Sequence, residues 1–314
     1  MRPYSIMQRN NRQSTARKSK IRIPDTFWVA LAIIGLSTLP YLHDFITDSD
    51  GLKSWVPNLG IESVLTDANG KVHGFSTYRV FLYTLLIFVF ACIGWAGWYQ
   101  SARSKYYGGG IFLVLTSGAY HVALILFDLR KTAFNEAWPK FFVLIGLAVF
   151  MGYLWFRQNK LSFKRILVWA VLFIMALLPF FHDIITERGV GLRPWVPNFG
   201  IEEMLTNSEG YVRGLGSYRV LVYLFCIYLF SHLGWIGWFF DARGRKFRPF
   251  LMVPAALSFY QVVVIAMSWR ETEFNSPNIK LYITIGLSVL LAINFYYNNK
   301  VSPKASIATE NEQS

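Results

Sequence analysis

The sequence predicts an all-α integral membrane protein in which eight transmembrane helices form two parallel four-helix repeats. Three observations support this fold class. Hydrophobic residues make up 54% of the chain, eight apolar runs approach the length of a membrane span, and the second half of the chain repeats the first. Charged residues make up only 16%, against about 25% in soluble domains. This composition excludes a disordered chain, a fibrous chain and a typical cytosolic enzyme.

The apolar runs give the predicted spans, because a helix needs about 20 residues to cross a hydrocarbon core of about 30 Å. We place them at 27–46, 78–100, 111–128, 140–157, 165–184, 218–240, 250–268 and 280–297. A single soluble core could not bury eight such runs. The first run is not a cleaved signal peptide, since its segment TLPYLHDFIT (38–47) returns as LLPFFHDIIT (177–186) in the middle of the chain.

The placement of charge predicts the orientation. An even number of spans puts both termini on one side, which carries 19 Lys/Arg against 4 Asp/Glu, while the opposite side carries 12 and 14. Positively charged loops stay in the cytoplasm, so we expect both termini there, in a multi-pass protein of the cell membrane (the inner membrane of a Gram-negative cell). The net charge of +13 then matches a lipid bilayer with an anionic cytoplasmic leaflet and does not indicate nucleic acid as a partner.

An internal duplication organises the chain. Residues 55–160 align with 195–300 without a gap, and 38 of the 106 aligned positions are identical. We therefore expect a basic cytoplasmic arm (1–25), a first repeat (26–160), a second repeat (161–300) and a disordered cytoplasmic tail (301–314). Four spans return each copy to its starting side, so the repeats are parallel, with a pseudo-twofold axis along the membrane normal. Two facing bundles would bury one shared interface or enclose one central cavity.

Polar residues that both copies share are the candidate binding site, because packing alone does not explain them. They lie at the predicted outer ends of spans or in the outer connections. The predicted ligand-binding residues are His43, Asp44, Glu62, Arg79, Arg130 and Asn135 in the first copy, and His182, Asp183, Glu202, Arg219, Arg270 and Asn275 in the second.

Two interpretations of the repeated His, Asp and Arg residues remain open. Asp44 could pair with Arg79, and Asp183 with Arg219, to tie spans together near the membrane surface, where paired charges cost little. The same residue types could instead bind an anion, handle protons, or hold a metal between two histidines and two carboxylates.

A second shared motif, RxTxFN, opens with Arg130 and Arg270 in the last outer connection of each copy. Its Thr and Asn residues favour a cap for the next span, and the alternative is a basic vestibule that faces outward. His121 and His232 lie deep in predicted spans and are not repeated. A neutral histidine bonded between helices and a functional ionisable group both fit that depth. Haem ligation lacks two histidines on one span at a diagnostic spacing.

Other motifs have packing explanations. Pro40, three residues before His43, is expected to bend the first span. Trp55 and Trp195 are expected to anchor a short interfacial helix in the long outer connection. The repeated GWxGW motif (94–98 and 234–238) is expected to pack helices closely through its glycines and to place its tryptophans in the aromatic belt. The unrepeated GGG (108–110) is expected to form a turn.

The sequence contains no Walker motif, GxSxG, HExxH or CxxC, and both cysteines lie inside apolar runs. We therefore predict no catalytic residue, metal or cofactor. We predict a non-enzymatic protein that binds or passes a small ligand, ion or lipid at the outer polar cluster between the repeats, as a transporter or channel does. Two alternatives remain. One is a scaffold or accessory subunit that binds another membrane protein or a second copy of itself. The other is a membrane enzyme that uses His43 and His182 on a lipid-linked substrate.

Overall fold

A computed structural model describes residues 25–48, 51–57, 59–102, 105–158, 162–187, 191–213, 215–269 and 272–311. The described chain is mostly α-helical. Its helices are α1 (Asp25–Leu36), α2 (Leu39–Ile46), α3 (Ile61–Leu65), α4 (Tyr78–Ser101), α5 (Lys105–Leu126), α6 (Ala137–Gln158), α7 (Phe163–Leu177), α8 (Phe181–Ile185), α9 (Ile201–Leu205), α10 (Tyr218–Asp241), α11 (Met252–Ala266) and α12 (Pro277–Asn311). The predicted basic arm lies outside the described residues except for Asp25.

Seven helical segments among the described residues are long and apolar enough to cross a membrane, and the number is eight if α1 and α2 together form one bent span. This supports the predicted class, a polytopic membrane protein built from α-helices. The two halves of the bent pair meet at 58°. The equivalent segment of the second copy, Phe163–Ile185, is one span that includes α7, a 3₁₀ turn at Leu178–Phe180, and α8.

Proline accounts for the break between α1 and α2. Pro40 lies in the first turn of α2, where its missing N–H and its ring are tolerated, whereas the same ring would clash inside a continuous helix. The α1 helix closes with a bond from the Ser37 N–H to the Ile33 carbonyl at 3.0 Å, and Thr38 bonds back to Gly35. The predicted bend of the first span is therefore present.

The centre of the structure is the contact between α4 and α10, which the GWxGW motifs form reciprocally. Gly94 lies against Trp235, and Gly234 lies against Trp95; a Cβ on either glycine would come within 3.0 Å of the opposite indole. Both tryptophans are fully buried. The expected close packing through glycine is therefore present, but the expectation that these tryptophans lie in the aromatic belt is wrong, because the indoles fill the space that the glycines leave.

Spans from the two halves of the chain are interleaved. The α7 helix of the second half packs on α5 of the first, and α1 and α2 of the first half pack on α11 and α12 of the second. Hydrogen bonds also join the two halves. Ser117 donates to the Ala176 carbonyl at 2.7 Å, and the hydroxyl groups of Tyr41 and Thr284 are bonded at 2.6 Å. Residues 26–160 and 161–300 are thus not two separate bundles, since each half receives a span of the other.

The GGG segment belongs to this exchange and is not the expected turn. Residues 108–110 lie inside α5, and a Cβ on Gly110 would come within 2.5 Å of Leu172 on α7. Gly109 faces Trp169 in the same way. Gly109 and Gly110 therefore let α5 approach α7 closely, and a motif that looks like a loop signal in the sequence serves helix packing instead.

One end of the bundle, which we call the hairpin end, is covered by the long connection of each copy. Each connection contains a β-hairpin whose strands are two residues long. The first hairpin pairs β1 (Thr47–Asp48) with β2 (Gly51–Leu52), and the second pairs β3 (Thr186–Glu187) with β4 (Gly191–Leu192). The predicted interfacial helices are present as the five-residue α3 and α9, and Trp55 and Trp195 are exposed. Beyond them, the buried side chains Val72, Phe75, Val212 and Leu215 pack on the first turns of α4 and α10.

The C-terminal segment differs from its prediction. We expected a disordered tail from 301, but α12 continues as helix to Asn311. Only Lys304, Ala305, Ala308 and Glu310 in this segment are strong helix formers, and Pro303 disfavours a helix, so local propensity does not explain the extension.

Alanine substitutions in the GWxGW glycines should separate α4 from α10. A Cβ at Gly97 or Gly237 would lie 2.2 Å from the opposite indole, so G97A or G237A overpacks a fully packed interface at a cost of about 1–3 kcal/mol. G146A and G286A are matched controls on α6 and α12, since nothing lies within 4 Å of a Cβ there. In detergent, the thermal unfolding temperature should fall for G97A and G237A and stay unchanged for G146A and G286A. Equal effects in all four variants would contradict the close contact between α4 and α10.

Candidate functional site

The first cluster of charged residues lies at the hairpin end and consists of His43, Asp44, Arg79 and Lys280. Asp44 is near the end of α2, and Arg79 is in the first turn of α4. The Arg79 guanidinium donates to Asp44 Oδ1 at 2.5 Å, His43 Nε2 lies 3.2 Å from the same oxygen, and Lys280 Nζ lies 3.9 Å from Oδ2. One partly buried carboxylate thus faces two permanent cations.

The second cluster repeats this arrangement with His182, Asp183, Arg219 and Lys140. Arg219 pairs with Asp183 Oδ1, and His182 Nε2 lies 3.3 Å from it. Lys140 Nζ donates to Asp183 Oδ2 at 2.8 Å. The Asp–Arg pairs that the sequence suggests as ties between spans are therefore present in both copies.

Lys140 and Lys280 are members of these clusters that the sequence prediction does not include. They occupy equivalent positions in the repeat, 140 residues apart, so the same comparison that selects Asp44 and Arg79 could have found them. Their relative exposure is 4% and 5%, which is rare for lysine unless its charge is paired. They are the first residues of the predicted fourth and eighth spans, so the prediction counts them with the spans and not with the outer polar residues.

Each cluster is assembled from both halves of the chain. Asp44 and Arg79 come from the first half and Lys280 from the second, whereas Asp183 and Arg219 come from the second half and Lys140 from the first. This follows from the exchange of spans, because α2 packs on α12 of the other half. The clusters therefore hold the two halves together as well as concentrating charge.

Beside each cluster, a further cation donates a hydrogen bond to a carbonyl in the last turn of a helix. Lys53 donates to the Asp44 carbonyl at 2.7 Å, and its counterpart Arg193 donates to the Asp183 carbonyl at 3.2 Å. These carbonyls belong to the last turns of α2 and α8, where helices have unsatisfied acceptors and a partial negative charge. Lys53 and Arg193 thus fix the hairpins on the clusters and add to the positive charge there.

The two clusters open onto different cavities. A cavity of about 240 Å³ adjoins the first cluster, with His43, Asp44, Arg79, Asn275 and Lys280 among its lining residues. A recess of about 470 Å³ lies at the second cluster, and its lining includes Asp183 and Arg219 together with the predicted residues Arg130 and Asn135. The turn that carries Asn135 is closed by a bond from its amide to the Arg130 carbonyl at 2.8 Å.

Glu62 and Glu202, which we predicted to bind ligand, lie elsewhere. Each carboxylate faces the hairpin glycine of its own copy: a Cβ on Gly51 or Gly191 would come within 2.7 Å or 2.4 Å of the glutamate. Glu202 also accepts the Leu192 N–H at 3.2 Å. Both glycines have positive φ, which glycine adopts without strain. The contact between each glycine and its glutamate holds the hairpin against α3 or α9.

Arg270, the remaining predicted site residue, lies outside the described part of the chain.

An exposed ion pair joins two connections in the first copy only. Lys131 donates to Asp67 at 2.7 Å, and this bond, with the backbone N–H groups of Lys71 and Asn69, lowers the pKa of Asp67 to about 2. The same bond raises the pKa of Lys131. The equivalent of Asp67 is Asn207, which makes the same backbone bonds without a charge. The shared feature is therefore the turn, and the ion pair is an addition.

The deep histidines have separate environments. His232 bonds through Nδ1 to the Ala255 carbonyl at 3.0 Å, so it joins α10 to α11 as the interhelical interpretation requires. His121 bonds to the Ser117 carbonyl of its own helix at 3.0 Å and stacks between Phe88 and Phe180, with ring centroids 4.9 Å and 6.0 Å away.

Within the described ranges, no group of three or more His, Cys, Asp or Glu side chains could hold a metal ion. No family model matches the chain, and no curated protein or solved structure shows a significant similarity to it.

Removing the carboxylate and removing the lysine of the second cluster should have unequal effects. D183N leaves Lys140 and Arg219 without their carboxylate in a buried setting, at a cost of about 3–5 kcal/mol. K140M leaves Asp183 paired with Arg219 and keeps an apolar stem of similar length, so its cost should be below about 1 kcal/mol.

Thermal unfolding of the purified variants, followed by tryptophan fluorescence, measures this difference. The double variant D183N/K140M should recover part of the loss, because it removes one of the two uncompensated cations. Equal losses in D183N and K140M would show that charge balance does not govern this site.

Proposed function

We propose that the protein is a transporter-like membrane protein that binds a small anionic ligand in the clusters at its hairpin end. In this proposal eight spans form two parallel repeats, both termini are cytoplasmic, and the hairpin end is on the non-cytoplasmic side. The placement of Lys and Arg supports the orientation. The reciprocal contacts of equivalent residues in α4 and α10 support the parallel repeats.

The observation that carries the proposal is the charge balance of the clusters. Each contains one aspartate against an arginine and a buried lysine, and a further cation, Lys53 or Arg193, lies beside it. Cations held in a low-dielectric setting attract anions more strongly than the same cations in water do. The excess positive charge at each cluster therefore favours an anionic ligand over a cation or a neutral molecule.

The packing of the centre supports binding beside the pseudo-twofold axis instead of on it. Trp95, Trp235, Phe90 and Phe230 are fully buried between α4 and α10, and Trp95 donates to the Phe230 carbonyl at 3.0 Å. The cavity at the first cluster lies between α4 and spans of the second half. A ligand that crosses the protein would thus pass along the interleaved spans and not along a central pore.

The exposed aromatic side chains on α6 and α12 do not require a protein partner. Trp138, Phe142 and Tyr282 are each about two-thirds exposed. Lipid covers such surfaces in a membrane protein, and aromatic rings are frequent near both interfaces. The bilayer, with its anionic leaflet at the cytoplasmic side, is therefore the partner that we propose for these faces.

Calorimetric titration of the protein in phosphatidylcholine nanodiscs tests the proposal. The probes are sodium phosphate, sodium sulfate and sodium propane-1-sulfonate. We expect at least one of them to bind, and we expect the variant K140M/K280M to bind it at least tenfold more weakly. The control K71M/K164M removes two exposed lysines and the same charge outside the clusters, and it should bind as the wild type does.

Uptake of radiolabelled propane-1-sulfonate into proteoliposomes then measures passage, because a sulfonate stays charged and crosses lipid slowly by itself. Absence of binding for all three anions, or unchanged binding in K140M/K280M, would contradict the proposed function.

A further inference from the structure

We propose that the first cluster is the ligand site, that the second cluster is a structural copy, and that the ligand is a small organic anion with a short apolar chain. This inference rests on the proposed function, since it assumes that the clusters attract anions. It goes further by choosing between two sites of equivalent sequence origin and by stating the chemistry of the ligand. Three differences between the clusters carry it.

The first difference is the way in which the aspartate is satisfied. In the second cluster Arg219 pairs with Oδ1 of Asp183 and Lys140 donates to Oδ2 at 2.8 Å, so both oxygens have a cation in contact. In the first cluster Arg79 bonds Oδ1 of Asp44, but Lys280 lies 3.9 Å from Oδ2. An incoming anion must compete with a close ion pair for Lys140, whereas Lys280 is at a longer distance from its carboxylate.

The second difference is the cavity. The cavity of about 240 Å³ at the first cluster is lined by Lys280 itself, together with Arg79, Gln261 and Asn275. The recess at the second cluster is lined by residues 130–132 and 135–138 together with Asp183, Glu187, Arg193 and Arg219, and Lys140 is not among its lining residues. Of these two cavities among the described residues, the one at the first cluster is lined by its buried lysine and the one at the second is not.

The third difference lies in the residues around the lysine. His121 occupies the position equivalent to Gln261, and its ring is stacked between Phe88 and Phe180 beside the second cluster. In the first copy the equivalent of Phe180 is Tyr41, which is hydrogen-bonded to Thr284. The stack of three rings has no equivalent around Gln261, which lines the open cavity. The duplicated charges are retained in both copies, and the side chains beside the buried lysine have diverged.

The lining of the cavity indicates the ligand class. The lining combines the cations and the amides of Gln261 and Asn275 with the aliphatic side chains of Val80, Leu224, Val264 and Ile265. A volume of about 240 Å³ corresponds to about eight molecules of liquid water. This fits an anionic group, such as a carboxylate, sulfonate or phosphate ester, on a chain of a few carbons. Such a group can come from a free small acid or from the head of an anionic lipid.

Single variants in phosphatidylcholine nanodiscs, titrated with propane-1-sulfonate and with sulfate, test the inference. We expect one sulfonate per chain and tighter binding of propane-1-sulfonate than of sulfate. K280M should weaken binding at least tenfold, while the matched variant K140M should change it by less than threefold. The exchange Q261H should weaken binding by closing the cavity, and the reciprocal H121Q should leave it unchanged. Thermal unfolding of each variant checks that it is folded.

The lipid composition of the nanodiscs distinguishes a lipid head group from a free anion as the source of the ligand. If nanodiscs that contain phosphatidylglycerol abolish sulfonate binding to the wild type, the occupant is a lipid head group, and if binding persists, it is a free anion. The inference is overturned if K140M loses binding and K280M keeps it, if two equal sites appear, or if sulfate binds as tightly as the sulfonate. In those cases anion binding itself, and with it the proposed function, still stands. If the wild type binds none of the anions, the proposed function fails.

Discussion

The structure depends on the contact between α4 and α10, where glycine on one helix meets tryptophan on the other. Without side chains at Gly94, Gly97, Gly234 and Gly237, the two helices approach until the indoles of the opposite motif fill the remaining space. In lipid there is no hydrophobic gain from bringing apolar helices together, so close packing of this kind must supply the association energy. The remaining spans, including the exchanged pair, are arranged around these two helices.

The exchange of spans explains where charge can be placed in such a protein. A carboxylate at the end of a span is costly unless cations neutralise it. Asp44 receives Arg79 from its own half and Lys280 from the other, and Asp183 receives Arg219 and Lys140 in the same way. Each buried lysine therefore has its carboxylate on the other half, so neutralising the lysines requires both halves to be in place. The same residues that tie the halves together also leave each cluster with more positive than negative charge, which links the folding of the protein to the ligand that it would attract.

Much of this arrangement could be predicted from the sequence, because the duplication separates shared polar residues from apolar ones. The positions of the spans, the bend at Pro40 and the pairing of Asp44 with Arg79 follow from local pattern and spacing. The exchange of spans could not be predicted, since periodicity does not specify which helix packs on which. Glu62 and Glu202 were assigned to the site because they are shared and charged, but their contact with Gly51 and Gly191 depends on hairpins that have two-residue strands and no recognisable pattern.

The duplication also allows the two clusters to be compared position by position. Two copies that had to bind the same ligand would keep both the charges and the cavity, and two copies needed only for stability would keep the charges alone. The chain keeps Asp, Arg, Lys and His in both clusters but has Gln261 in one copy where His121 stands in the other. The Phe88–His121–Phe180 stack occupies the interior beside the second cluster, and the first has an open cavity in the corresponding region. Charge neutralisation therefore accounts for what the copies share, and the proposed binding of a ligand at the first cluster would account for where they differ.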